Sequence, residues 1–164
     1  MRGSLISTLS SIFPIELLSP PDLLFTIVDV PLPIPLSASD PAPPLSMAQC
    51  KDVSEDSVAT ALGYVAQVVN VLAAYMGKSL MYPVTCIGSR SLIRDGISAM
   101  VGPRMYDFFG ESCLELMIFR FPLFSKGVDT YRFEYGVFLL NKNIEIVRLF
   151  FSRTSLRLTR VISS

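Results

Sequence analysis

From Ser57 to Met76 the chain runs for twenty residues without a charge, and this stretch constrains the fold more than any other. Its length suffices to cross a bilayer as a helix. A helix that is apolar nearly all round can equally be the central helix of a folded core. Gln67 and Asn70 near its middle, Thr60 and Gly63 before them, and the excess of Ala and Val over Leu favour the core helix. The ends carry helix punctuation. Asp52 or Ser54 can cap the free amides of the first turn, Glu55 and Asp56 suit the positive end of the dipole, and Gly77 suits a left-handed stop. The spacing therefore predicts a helix from about Ser54 to Met76. Val58, Leu62, Val65, Val69, Leu72 and Met76 form one apolar stripe, and Tyr64, Val68, Val71 and Tyr75 form a second. Such a helix is covered on more than one side, either by its own sheet or by a partner subunit.

The remaining composition fits that expectation. A chain of 164 residues can bury a real core in one domain. Apolar residues make up 51% and charged residues only 17%, against about 25% in an average globular protein. That deficit predicts surfaces that meet a partner or a membrane. Fourteen acids and fourteen bases cancel, so no global field draws the chain to nucleic acid. Residues 1–56 hold seven acids and two bases, a net of −5, whereas residues 57–164 hold seven acids and twelve bases, a net of +5. The second part is the side suited to an anionic lipid surface.

The apolar run from Leu5 to Phe13 is broken by serines and ended by Pro14 and Glu16, with no cleavage motif after it, which argues against a signal peptide. Residues 1–30 read as an N-terminal segment with candidate strands, Leu23 to Val30 pairing with Phe13 to Leu17. Nine of the twelve prolines lie from Pro14 to Pro44. Residues 31–50 therefore read as a Pro-rich linker or loop, because proline lacks an amide donor and restricts its predecessor. Beyond the helix, Tyr82–Ile87 and Ser91–Arg94 flank Gly88-Ser89-Arg90 as a β-hairpin, and Phe121–Phe124 is a short strand before the turn Lys126-Gly127. From Thr130 two periods compete. Tyr131, Phe133, Tyr135 and Val137 alternate like a strand, while Phe133, Val137, Leu140, Ile144 and Val147 step like a helix. The length favours a helix from about Phe133.

Chemistry at a catalytic centre finds little support. There is no histidine, so neither a Ser-His-Asp nor a Cys-His arrangement can form. Cys50, Cys86 and Cys113 are too widely spaced for zinc and odd in number, so they read as reduced, mostly buried thiols and no metal is expected. Gly88-Ser89-Arg90-Ser91 offers donors to an anion but lacks P-loop spacing, and a tight turn tipped by Arg90 is the simpler reading. Arg94 and Asp95 read as a solvated pair. The signatures of a kinase are missing. Asn141, Lys142 and Asn143 form a polar corner, read either as solvent-facing or as a partner or membrane contact. Arg148, Arg153, Arg157 and Arg160, interleaved with apolar residues, have the composition of a basic membrane-surface helix.

Several motifs occur in a recognisable order: Ala59 to Lys78 with its Ala-Leu-Gly-Tyr start, Tyr82-Pro83, Gly88-Ser89-Arg90-Ser91, Phe121-Pro122-Leu123, Lys126-Gly127, and Tyr135-Gly136-Val137-Phe138-Leu139-Leu140-Asn141-Lys142-Asn143-Ile144. Upstream, Ile12 to Glu16 and Pro20 to Ile27 belong to the same pattern. This order resembles the C-terminal domain of the UV-radiation-resistance-associated family of vacuolar-sorting and autophagy subunits, in its fungal branch, from about Ile12 to Ile146. Tyr106–Arg120 looks like an insertion in that pattern. Residues 149–164 form an atypical basic tail, so the chain reads as a fragment or an imperfect gene model of one domain.

The resemblance implies an α+β fold, the β-α repeated autophagy-specific type. Short antiparallel strands would pack on a long central helix and a second helix, with the repeat domain at residues 51–148. It further implies a non-catalytic scaffold, without cofactor, in a class III phosphatidylinositol 3-kinase complex. The implied partners are a beclin-type subunit, the lipid kinase and its pseudokinase regulator, on endosome and vacuole membranes as a peripheral cytoplasmic protein. Candidate partner or membrane contacts are Arg90, Tyr64, Tyr75, Asn141 and Lys142. The alternative is a single-pass membrane protein using residues 57–76.

Overall fold

The computed structural model describes residues 2–19, 24–32, 54–97 and 120–162, with side chains of the last helix described as far as residue 151. The fold is α+β. After helix α1 (Arg2–Ile12), three strands β1 (Ile15–Ser19), β2 (Leu24–Ile27) and β3 (Val30–Leu32) lead to helix α2 (Glu55–Tyr75). Three more strands, β4 (Val84–Thr85), β5 (Leu92–Arg94) and β6 (Arg120–Pro122), lead to helix α3 (Thr130–Ile162). Each trio forms its own antiparallel sheet in sequence order, so a three-stranded meander followed by a helix occurs twice. The expected duplication is present, and the first unit holds a third strand, β3, where the sequence suggested a pair.

Helix α2 forms as its end signals require. Ser54 Oγ accepts from the Ser57 amide at 3.1 Å, and Gly77 closes the helix with φ at +64°. Val58, Leu62 and Ala66 of α2 meet Ile93 of β5, Leu123, and Phe133, Leu139 and Leu140 of α3 in the main core. Further along both helices, Val69 and Ala73 meet Val147. On its other side α2 packs against β2 and β3, where Ile27 is buried. The chain's own two sheets thus cover the helix. Gln67 and Asn70 are exposed, as are Ala74 and Tyr75 near its end, so the polar residues at its middle point outward. By length and composition α2 is nevertheless apolar enough to cross a membrane.

Two helix glycines set the depth of packing. A Cβ on Gly63 would stand 2.2 Å from the carbonyl oxygen of Gly88, so the β4–β5 hairpin tip rests on the α2 backbone. A Cβ on Gly136 would stand 2.6 Å from the Pro122 oxygen, and β6 lies against α3 in the same way.

Several expectations are corrected. Leu23 to Val30 is not one strand: the chain reverses at Val28 and Asp29, whose φ angles are 51° and 60°. Positive φ at both central residues is what a two-residue hairpin needs to match strand twist. Asp29 is a residue type that tolerates this conformation, but the β-branched Val28 before it gives no such signal, and the usual Asn-Gly pair is absent. Pro31 lies in β3, an edge strand of its sheet, where the missing amide hydrogen is tolerated. Helix α3 starts three residues before Phe133, because the Asp129 carbonyl already accepts from the Arg132 and Phe133 amides. It runs on through Ile162, so the segment read as a tail continues the helix. Arg120, assigned to an insertion, opens β6 and pairs with Arg94. Helix α1 was not anticipated, and Leu9 is its buried residue. The Pro-rich stretch from residue 33, residues 106–119 of the insertion, Cys50 and Cys113 lie outside the described residues.

Candidate interaction surface

The β4–β5 hairpin tip is closed by its own polar groups. Ser91 Oγ donates to the Gly88 carbonyl at 2.7 Å and accepts from the Ile87 amide at 3.0 Å, while the Arg90 amide donates to the Ile87 carbonyl at 3.0 Å. Those amides are therefore engaged within the turn, which weakens the reading of an anion cradle. Arg90 is exposed, and its guanidinium lies 4.9 Å from the centre of the Phe124 ring. Among the described residues no group of three His, Cys, Asp or Glu side chains could hold a metal. Cys86 is exposed rather than buried, although atoms crowding the thiol raise its pKa by desolvation.

The end of β5 holds a buried polar cluster where the sequence suggested a solvated pair. Asp95 is 1% exposed; it accepts from the Tyr135 hydroxyl at 2.7 Å and from the Ile97 amide at 2.9 Å. Arg132, on the next turn of α3, donates to the Arg120 carbonyl at 2.8 Å and lies 5.7 Å over the Phe121 ring. Strand, helix and both ends of the β5–β6 connection are tied together here. These contacts lie within the chain, so the cluster reads as structural.

Asn143 departs furthest from expectation. It is fully buried and holds Tyr82 through both amide atoms, whereas its neighbours Asn141 and Lys142 face outward and half outward. The outward face of α3 gathers what the sequence scattered. Tyr131 and Tyr135 stack at 6.2 Å, Tyr135 and Phe138 at 5.9 Å, and the edge of Phe121 meets Tyr135 at 4.6 Å. Lys142 sits 5.4 Å over the Phe138 ring and pairs with Glu145 at 3.0 Å. Tyr131 is 71% exposed, Phe138 49% and Leu149 56%. Asn141 and Lys142 are expected on this face from the motifs, whereas the three apolar residues are not. Their signal was the seven-residue step from Tyr131 to Phe138 and the eleven-residue step on to Leu149, all on one helix side.

The other candidates lie apart. Tyr64 is half-buried with its ring 6.1 Å from that of Phe13, joining α2 to the N-terminal segment. Tyr75 is exposed in the last turn of α2, about 16 Å along the axis from Tyr64 at the usual rise per residue. The surface presents exposed aromatic and aliphatic groups beside the Lys142–Glu145 ion pair.

The chain is 35% identical over 144 residues to the mouse UV radiation resistance-associated protein, covering 88% of this chain and 17% of that protein. It is similar to one stretch of that family. It is also 26% identical over 92 residues to vacuolar protein sorting-associated protein 38 of Schizosaccharomyces pombe, covering 56% of this chain and 16% of that one. Both support the likeness read from the motifs. The chain spans about a sixth of the length of these relatives. No family model matches, and no solved structure matches.

Proposed function

We propose that this chain belongs to the UV-radiation-resistance-associated family and serves as a non-catalytic scaffold in a class III phosphatidylinositol 3-kinase complex. In this reading it acts in autophagy and endosome-to-vacuole sorting, beside a beclin-type subunit, the lipid kinase and its pseudokinase regulator. The observation that carries the proposal is the 35% identity to the mouse relative along 88% of the chain. The fold is in keeping with it, since the meander-plus-helix unit occurs twice, as the family's β-α repeat implies. The exposed apolar residues of α3 supply contact surface without catalytic groups.

Membrane association is peripheral in this reading. Arg90 and the basic excess after residue 57 would attract anionic lipid by about 1 kcal/mol per well-placed base, which matters only when partners already hold the domain at the surface. Co-expression of the chain with the kinase, its regulator and the beclin-type subunit tests the assignment. A single complex should elute in size-exclusion chromatography, and separate elution of this chain would refute the assignment.

A second reading, a single-pass membrane protein using residues 57–76, draws on the length and apolar character of α2. The outward Gln67 and Asn70 and the covered apolar faces weigh against it. Alkaline carbonate separates the two, releasing a peripheral scaffold and leaving a spanning helix with the lipid.

A further inference from the structure

Arg94 and Arg120 stand directly opposite each other across β5 and β6. Opposed residues of an antiparallel pair project to the same face of the sheet. The neighbouring pair, Ile93 and Phe121, packs into the core, so alternation puts both arginines on the outer face. Their backbone groups are spent away from each other. The Arg94 amide donates to the Pro83 carbonyl at 2.9 Å, and the Arg120 carbonyl accepts from Arg132 at 2.8 Å. Arg94 and Arg120 are therefore a non-hydrogen-bonded pair, the kind whose Cα atoms lie only about 4.5 Å apart and whose side chains come closest. Arg94 is exposed and Arg120 half-buried, and neither makes an ion pair among the described residues. Asp95, next to Arg94 in the chain, is buried on the inner side and accepts from the Tyr135 hydroxyl. Like charges directly opposite cost stability. The fold nonetheless keeps two guanidinium groups side by side, with Arg132 on the Arg120 carbonyl adding a third positive charge close by.

We infer that Arg94 and Arg120 form a binding site for a phosphomonoester group. Near neutral pH such a group carries close to two negative charges and three strong acceptor oxygens. Each guanidinium is a planar fork whose donors match phosphate oxygens in pairs. A dianion held between the two forks neutralises both charges and turns a repelling pair into a bridged one. A carboxylate neutralises only one of them. The same contacts serve a free phosphate and a lipid headgroup that ends in a phosphomonoester. Arg90 takes no part, since its guanidinium lies against the Phe124 ring at the hairpin tip. The site does not depend on the scaffold assignment, because only the register of β5 and β6 enters the argument.

Titration of inorganic phosphate into the isotope-labelled 164-residue chain, followed by NMR at constant ionic strength, reads the site directly. The amide signals of Arg94 and Arg120 should shift saturably, and acetate at the same concentrations should leave them in place. Arg94→Gln should weaken phosphate binding by about tenfold or more, the loss of charge-assisted hydrogen bonds. Arg120→Glu converts the like-charge pair into an ion pair in the same register. It should abolish the phosphate shifts and also unfold at a higher temperature than the wild type in phosphate-free buffer, which separates lost binding from misfolding. Phosphatidylcholine vesicles containing phosphatidic acid, whose headgroup is a phosphomonoester, distinguish the two sources. Co-sedimentation that is lost in Arg94→Gln supports the site with a lipid headgroup as its ligand, and phosphate shifts without co-sedimentation support it with a soluble phosphate. Absent shifts, equal shifts with phosphate and acetate, or a phosphate response retained in Arg120→Glu would overturn the proposal.

Discussion

Asn143 holds both the backbone amide and the backbone carbonyl of Tyr82. Its Nδ2 donates to the Tyr82 carbonyl at 2.7 Å, and its Oδ1 accepts from the Tyr82 amide at 3.1 Å. This amide pair pins the chain entering β4 to the middle of α3, sixty-one residues away in sequence. Asn143 is fully buried, so nothing from solvent replaces either bond when it is removed. Asn143→Leu should destabilise the fold by about 2–4 kcal/mol, from two unsatisfied backbone groups. Asn143→Asp should cost at least as much, since it loses the donor and buries a charge. Urea unfolding monitored by circular dichroism measures both, and a change under 0.5 kcal/mol would contradict the account.

The glycines test the packing of hairpin and strand on helix. Gly63→Ala would place a methyl 2.2 Å from the Gly88 oxygen and 2.8 Å from its carbonyl carbon, both backbone atoms that cannot turn aside. A loss of about 2–4 kcal/mol is expected, although alanine ordinarily favours a helix. Gly136→Ala should behave alike against Pro122, with 2.6 Å to its oxygen. Gly96→Ala, which meets nothing within 4 Å, serves as the control. Equal midpoints of thermal unfolding for all three variants would show that α2 and α3 do not approach the strands so closely.

The β2–β3 turn offers a gain in stability. Asp29 is exposed and held at φ 60°, a conformation glycine adopts without steric cost. Asp29→Gly should stabilise the protein by about 0.5–1 kcal/mol, the relief of strain exceeding the added entropy of the unfolded chain. Loss of stability in that variant would mean that the aspartate makes a compensating interaction.

The Asp95–Tyr135 pair gives a fourth test. Removing the hydroxyl in Tyr135→Phe leaves the ring stacking on Tyr131 and Phe138 but takes away a 2.7 Å bond to a buried carboxylate. A cost of about 1–3 kcal/mol is expected, as for a hydrogen bond to a charged group. An unchanged unfolding midpoint would show that the remaining contacts of Asp95 satisfy it alone.

Elements marked by local chemistry were legible in the sequence. Helix α2 announced itself through Ser54, its apolar stripes and Gly77, and the β4–β5 hairpin through Gly88. The β1–β2 pairing was also anticipated in outline. Features set by tertiary contact were not. Asn143 and Asp95 look like surface residues by type, and only their partners Tyr82 and Tyr135, distant in sequence, draw them inside. The reversal at Val28-Asp29 is masked by the β-branched Val28, which only the pairing of the flanking strands holds at positive φ. The start of α3 at Thr130 was obscured because alternating aromatics from Tyr131 satisfy a strand period as well as a helix. For the candidate surface, the motif order carried the expected contacts Asn141 and Lys142. Tyr131, Phe138 and Leu149 were missed because exposure of an apolar residue is decided by which neighbours are absent.

Affinity capture of the tagged 164-residue chain from cells, followed by mass spectrometry and a lipid-kinase assay on the eluate, tests the scaffold assignment most directly. The account predicts that the class III lipid kinase and the beclin-type subunit are recovered together and that the eluate phosphorylates phosphatidylinositol. An eluate holding neither protein and no such activity would contradict it.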